Sequence, residues 1–301
     1  MYIVYLSRMN YAAIDIGTNA ARLLIGEVVS EEGKSFVKKV SYTRIPLRLG
    51  EEVFEDGKIS KKKAQNFVKT IHAFRLIAEM FDVKRLRAVA TSAMREAKNA
   101  DKVVKKIFDE TGVQLEIISG EEEATLIFGT FFLLKIDKQM PFVVIDVGGG
   151  STEVSVFEKG ERVASRSFQI GTLRLIKEKV KTDIWTEIHD WLQQHVDLKD
   201  HHQIFGTGGN INKIHKILGA NQNEPITLTK IKELADTLRP LSVDQRMSEF
   251  QLKPDRADVI IPAMDIYMYI MQEIGASEII VPKIGLSDGM IYAMNNEDKL
   301  I

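Results

Sequence analysis

The 301-residue chain contains no cysteine. That excludes a disulfide framework, a thiolate zinc site and a cysteine nucleophile. Histidine is scarce, with six in all, and the adjacent pair His201-His202 reads as a solvated loop before a strand rather than as a metal site. No apolar run approaches the ~18 residues needed to cross a bilayer, so no membrane partner is expected. Lysine and arginine (41) offset aspartate and glutamate (42) to a net charge of −1. Bulk charge therefore gives no pull on nucleic acid, and DNA is not an expected partner. Any polyanion must be drawn by local arginines and backbone amides. Residues 1–8 lack the length and basic start of a signal peptide, and they read as a peripheral extension before Met9. The expected compartment is cytoplasmic.

One turn occurs twice. Asp15-Ile16-Gly17-Thr18-Asn19 lies near the start and Asp146-Val147-Gly148-Gly149-Gly150-Ser151-Thr152-Glu153 near the middle. Apolar runs flank each, giving two hairpins whose turns combine glycine, a hydroxyl and a carboxylate. Glycine lets the backbone approach closely, so that consecutive amides can point at one anion. Thr18, Ser151 and Thr152 add hydroxyls, and Asn19 adds an amide. Three adjacent glycines cost conformational entropy that an ordinary hairpin need not incur. Asp15 and Asp146 suit Mg²⁺ against phosphate oxygens, directly or through water. A third glycine turn, Gly206-Thr207-Gly208-Gly209, joins a strand to a helix start, where an anion is also favoured. No Walker or Gly-x-Gly-x-x-Gly sequence is present.

Glu121, Glu122 and Glu123 open a helix and complement its dipole. One of them is free to face inward. Phosphoanhydride hydrolysis needs an aligned water, a metal bridging oxygens, and cations or amides that absorb charge. Glu123 and Glu153 are the candidates to hold that water, and either can serve as general base. Arg95 follows a strand end and suits forked phosphate contacts. Arg22, Arg48 and Arg174 are weaker candidates for the same task. The lysines at 61–63 read as a solvated helix start, with a basic rim for a polyanion as the alternative.

Along the chain, strands are expected at 11–16, 22–30, 35–49 (broken by Pro46), 86–90 and 113–118, with an acidic turn at 50–57 and a helix at 61–80. The order begins again at Phe142. Helices are expected at 172–180, 184–197, 229–238, 242–249 and 256–275, a strand at 279–281 and a last helix at 286–294. Strands alternating with helical patterns imply an α/β fold with a largely parallel sheet in each half.

Taken together, these motifs resemble those of the exopolyphosphatase / guanosine pentaphosphate phosphohydrolase (Ppx/GppA) family of the actin–sugar kinase–Hsp70 superfamily. Asp15-Ile-Gly-Thr-Asn with Arg22-Leu-Leu-Ile is similar to its first phosphate motif, and Asp146-Val-Gly-Gly-Gly-Ser-Thr-Glu153 to its second. Arg48-Leu-Gly, Thr91-Ser-Ala-Met-Arg95-Glu-Ala, Ile118-Ser-Gly-Glu-Glu-Glu-Ala124, Gly171-Thr-Leu-Arg-Leu175, Gly206-Thr-Gly-Gly209 and Arg256-Ala-Asp-Val-Ile260 follow in family order. The resemblance implies two actin-like (ribonuclease H-like) domains, 1–132 and 133–301, with an interdomain cleft, the last helix packing back on the first domain. It implies Mg²⁺-dependent release of orthophosphate from the end of inorganic polyphosphate. The alternatives are 5′-phosphohydrolysis of guanosine pentaphosphate, or a weakly hydrolytic alarmone-binding regulator. By position the catalytic glutamate falls on Glu123, metal- and water-associated carboxylates on Asp146 and Glu153, and the phosphate-gripping arginine on Arg95. The phosphate-binding set is Gly17, Thr18, Asn19, Arg22, Arg95, Gly148, Gly149, Gly150, Ser151, Thr152, Gly208 and Gly209. Asp15 joins Asp146 and Glu153 as a metal candidate.

Two positions depart from the family. Ala20 stands where a serine is frequent. Gly285-Leu-Ser-Asp-Gly289 replaces Gly-Leu-Arg-Glu-Gly, so a local arginine is lost. Longer members carry further C-terminal helical domains, and without them short polymers or a nucleotide are the expected substrates. A homodimer is the expected assembly, because symmetric dimers are the commonest soluble oligomers.

Overall fold

The computed structural model describes residues 9–31, 34–131, 134, 139–198, 202–221 and 224–298. The extension expected at 1–8, the domain boundary expected between 132 and 133, and His201 lie outside the described residues. By its internal contacts the chain divides into two compact units, one formed by Met1–Lys135 with Gly285–Ile301, the other by Ile136–Ile284.

In the first unit β1 (Tyr11–Ile16), β2 (Ala21–Glu31) and β3 (Lys34–Ile45) form an antiparallel meander. Two helices follow, α1 (Leu49–Asp56) and α2 (Lys61–Met80), and β4 (Arg85–Ala90) then returns parallel to β1. Next come α3 (Ser92–Glu96), α4 (Ala100–Thr111), β5 (Leu115–Ile117), parallel to β4, and α5 (Gly120–Phe131). The strand order is β3-β2-β1-β4-β5. β1 is buried at every residue, as befits a central strand covered on both faces. α2 begins where the Ser60 side chain accepts the Lys63 N–H, and it buries Phe67, Ile71, Phe74 and Ala78 at helical spacing.

The acidic stretch 50–57, expected as a turn, is instead the helix α1. Arg48 enters it in the left-handed region (φ 48°), Gly57 closes it at φ 71°, and Leu49, Val53 and Phe54 are buried. Burial of that apolar edge outweighs the local turn signal of Gly50, Asp56 and Gly57.

The second unit opens with β6 (Phe142–Val147), β7 (Thr152–Glu158) and β8 (Glu161–Phe168), again antiparallel. The helices α6 (Thr172–Ile176) and α7 (Ile184–His195) lead to β9 (Gln203–Thr207), parallel to β6. The four-stranded order β8-β7-β6-β9 repeats the β3-β2-β1-β4 part of the first unit's sheet. Beyond β9 come α8 (Gly209–Ile217), β10 (Ile226–Thr227), α9 (Leu228–Leu238), α10 (Val243–Glu249), α11 (Pro254–Ala257), α12 (Ile260–Ile274) and β11 (Glu278–Ile279). The helix expected at 256–275 is therefore interrupted between Ala257 and Ile260. The strand expected at 279–281 is split between a short β10–β11 pair and a bridge from Ile280 to Phe205. α6 ends early, and Glu178 beyond it stands at φ 54°. α12 is the spine of the core, with Ile260, Met264, Tyr267, Met271 and Ile274 buried along one face.

The last helix, α13 (Leu286–Glu297), belongs to the first unit and packs on β1, β2 and α5. Its lower end is tied down by Asp298, which accepts from Tyr11 Oη (2.9 Å) and pairs with Lys84 (3.0 Å) and Arg85 (3.2 Å). Burial, reinforced by the Asp298 carboxylate, pushes the Tyr11 phenol up to about 12. Among the described residues no helix is long and apolar enough to cross a membrane.

The α5–α13 crossing is closed by Gly289, where a β-carbon would collide with the Leu126 carbonyl. Gly289→Ala is expected to lower stability to urea by about 3 kcal/mol. At Gly129 of α5 a β-carbon would meet nothing nearer than Tyr292 Cδ1 at 3.8 Å, so Gly129→Ala is expected to be neutral or stabilising by up to about 1 kcal/mol.

Candidate active site

The glycine turn of the second unit is held from one side. Gly148 O accepts from Thr172 N (3.1 Å), and Gly149 O from Leu173 N (2.8 Å) and Arg174 N (3.2 Å). Gly150 O accepts from the buried Arg174 Nε at 2.8 Å. In a trans peptide the C=O of one residue and the N–H of the next point in opposite directions. Tying three successive carbonyls to the start of α6 therefore turns the amides of Gly149, Gly150 and Ser151 to the other side. Those amides have no acceptor among the described residues. Three such amides in a row form an anion-binding concavity. Gly171 permits the approach, since a β-carbon there would stand 2.6 Å from Gly149 C and Gly150 N.

Two carboxylates lie at the base of this turn. Asp146 and Glu153 face each other across β6 and β7. Asp146 Oδ2 accepts from Thr207 Oγ1 at 2.8 Å, and Glu153 Oε1 accepts from Ser151 Oγ (2.6 Å) and Ser167 Oγ (2.7 Å). Their paired oxygens fit a small hard cation that takes few protein ligands and keeps several waters. No group of three or more acidic or histidine side chains suited to a metal occurs among the described residues. Gly208, at φ 90°, leaves room for Asp146, whose Oδ1 would lie 2.5 Å from a β-carbon at 208. Tyr267 is fully buried beneath, and burial, followed by the nearby Asp146 charge, raises its phenol well above the usual value.

The first turn follows the same construction. Thr18 O accepts from Gly50 N (3.1 Å) and Asn19 O from Arg48 N (2.8 Å), so the N–H groups of Asn19 and Ala20 point the opposite way. A β-carbon at Gly50 would collide with Thr18 Cγ2. The helix start that seats this turn is α1, the element that reads from sequence as a turn. Asp15 is paired across the strands with Arg22 at 2.6 Å, which places its charge in an ion pair within the unit. In the same unit Arg95 Nη1 donates to Ile118 O (2.8 Å) and pairs with Glu123 Oε2 (3.4 Å). Thr91 N bonds Ile16 O and Ile118 N bonds Ala90 O, so the turn, Arg95 and Glu123 share the C-terminal edge of β1, β4 and β5. That is where ligands of open α/β sheets collect.

A model of the Ppx/GppA phosphatase family matches residues 28–298. The chain belongs to the Ppx/GppA phosphatase family. Curated relatives include a bifunctional 3-dehydroquinate synthase/phosphatase of Fusobacterium nucleatum, 29% identical over 90% of this chain and 44% of its own length. Exopolyphosphatase 1 of Mycobacterium tuberculosis is 34% identical over 58% of this chain and 50% of its own length. A guanosine-5′-triphosphate,3′-diphosphate pyrophosphatase of Photobacterium profundum is 25% identical over 94% of this chain and 59% of its own length. The chain thus spans about half the length of these relatives. Among solved structures, the Aquifex aeolicus Ppx/GppA family member superposes with a TM-score of 0.75 at 24% identity, covering 96% of this chain and 98% of that one. A Cytophaga hutchinsonii exopolyphosphatase gives 0.81 at 22%, with the same coverage. The α/β fold with two actin-like sheets, expected from sequence, is that of these Ppx/GppA neighbours.

The structure shows what several of the expected site residues touch. The Thr152 hydroxyl, expected to meet phosphate, is fully buried and donates to Ile170 O at 2.7 Å; it fastens β7 to the segment entering α6. The Ser151 hydroxyl is committed to Glu153 at 2.6 Å, so the outward-turned group of Ser151 is its backbone amide. Arg174 fixes the turn from behind. Ser167, Thr207, Asn210 and Tyr267 support the site from distant stretches. Of these, Thr207 lies within the third glycine motif and Asn210 follows it, and only that place flags them in the sequence. Arg256 donates to Asn210 Oδ1 at 2.7 Å, which connects the last two quoted motifs. Lys63 is not part of a basic rim, because its Nζ binds Arg48 O (2.7 Å) and Glu51 (3.2 Å).

Gly208→Ala would place a β-carbon against Asp146 at a backbone angle suited to glycine. The expected loss is about 2 kcal/mol or more of unfolding free energy in urea titrations.

Proposed function

We propose that the protein hydrolyses the terminal phosphoanhydride bond of inorganic polyphosphate and releases orthophosphate. The observation that carries this reading is the trio of outward amides at Gly149, Gly150 and Ser151, set directly above the Asp146–Glu153 pair. Fixed amides of this kind take up the charge that develops on a transferring phosphoryl group. Asp146 and Glu153 would hold a magnesium ion, which supplies charge neutralisation at the phosphoryl oxygens when bound.

The remaining steps belong to the chain's own residues. Arg95 offers a forked cation to a phosphate oxygen. Glu123, beside Arg95, accepts the proton of the attacking water as general base. The water oxygen bonds to the terminal phosphorus while the bond from that phosphorus to the bridging oxygen breaks. The bridging oxygen keeps the electron pair, and the shortened chain departs. Glu153 is already engaged by two hydroxyls, so it serves as a fixed anchor rather than as the base. Within the first unit Arg22, with Nη1 on Asp15, orients the Gly17–Asn19 turn.

A second reading, removal of the 5′-terminal phosphate of guanosine pentaphosphate, is favoured by the alignment with the Photobacterium protein across 94% of this chain. Phosphate release is measured on polyphosphates of graded length and on guanosine pentaphosphate, with Mg²⁺ and after chelation. Release that needs Mg²⁺ and falls by about 10²–10⁴-fold in Glu123→Gln, with the fold retained, is the expected outcome. No release from any polyphosphate by the wild-type chain would reject the proposal, and faster turnover of the nucleotide would favour the second reading.

A further inference from the structure

We propose that Tyr267 is a positioning residue for the second unit's site, its hydroxyl setting the separation between the Gly148–Gly150 turn and the Gly208–Gly209 turn. The parallel ladder of β6 and β9 ends at the pair Asp146–Thr207. Past that pair one chain runs into Gly148 and the other into Gly208. Tyr267 Oη stands in the fork. It accepts from Val147 N at 3.3 Å and donates to Thr207 O at 2.8 Å. In a parallel sheet, strand amides and carbonyls bond one another directly; here a single side-chain oxygen stands between them.

The phenol has no packing reason to be there. α12 is otherwise apolar along this face, with Ile260, Ala263, Met264, Ile270 and Met271 buried around Tyr267. A phenylalanine would fill the same space, and a buried hydroxyl is unfavourable unless it is hydrogen-bonded. Both of its bonds go to the two backbone groups at the fork. The consequence reaches the carboxylate, because Thr207, held through its carbonyl by Tyr267, holds Asp146 Oδ2 through its hydroxyl. The carbonyl of Val147 is fixed by Asn210 Nδ2 at 3.1 Å, with Arg256 behind it. Side chains from α8, α11 and α12 thus fix the fork that carries both glycine turns.

The kinetic part of this inference rests on the phosphoanhydride hydrolase reading; the structural part does not. Tyr267→Phe is compared with wild type on polyphosphate, at a temperature where circular dichroism shows both fully folded. Misplacing a reacting group lowers the rate more than ground-state binding, so kcat is expected to fall about ten-fold or more while KM stays within about three-fold. Amide exchange at Val147 is expected to accelerate at the same time. If kcat and KM both stay within two-fold of wild type, or if Val147 exchange is unchanged, the inference is overturned. Should Tyr267→Phe fail to fold, Thr207→Val cuts the same relay one step later. It is expected to show the same fall in kcat at near-constant KM, and a wild-type kcat in that variant would equally refute the role. If the wild-type chain hydrolyses no polyphosphate, the functional reading fails, and Val147 exchange alone decides the place of Tyr267.

Discussion

A planar peptide has two polar ends that cannot point the same way. Both candidate phosphate turns exploit that constraint. In each, carbonyls are drawn down onto the first amides of a helix, from α6 onto Gly148–Gly149 and from the start of α1 onto Thr18–Asn19. The following N–H groups are thereby turned outward together. Glycines at 171 and 50 are needed on the helix side, because the approach leaves no room for a side chain there. Much of the rest of each unit supports this seating: Arg174 reinforces one turn, and Lys63, through Arg48, reinforces the other.

The two units reach the same result with different chemistry in the supporting positions. In the first, Asp15 is matched by Arg22 across the hairpin. In the second, the equivalent aspartate meets Glu153 at the cross-strand position and is held by a hydroxyl. A carboxylate already paired with arginine has its charge offset inside the protein. Two carboxylates side by side gain most from a cation supplied from outside. On the proposed reading the repeated motif divides its labour, the second copy being the one suited to a cation.

Sequence periodicity made the long elements legible. α2 runs from Lys61 to Met80, as its apolar spacing and Ser60 cap indicate, and both hairpins fall where the glycine turns sit between apolar runs. α1 was illegible for a physical reason. Gly50, Asp56 and Gly57 give turn signals around glutamates that suit a helix, and the burial of Leu49, Val53 and Phe54, with packing against α3, decides for the helix. The fate of the Thr152 hydroxyl depends on Ile170, and the bonds of Tyr267 depend on how β6 and β9 pair. Neither follows from spacing along the chain. Glycine and carboxylate motifs can be read locally, whereas the groups that aim them are recruited by sheet topology.

The return of α13 has a consequence for how the chain comes off the ribosome. The first unit's sheet is complete once β5 has been made, but α13, which covers β1 and β2 and locks against α5 at Gly289, is added only after the whole of Ile136–Ile284. The second unit is contiguous and can close on its own core as it emerges. The unit whose strands are made before the other is thus completed after it, because its central strands wait for a cover that follows Ile136–Ile284 in the sequence.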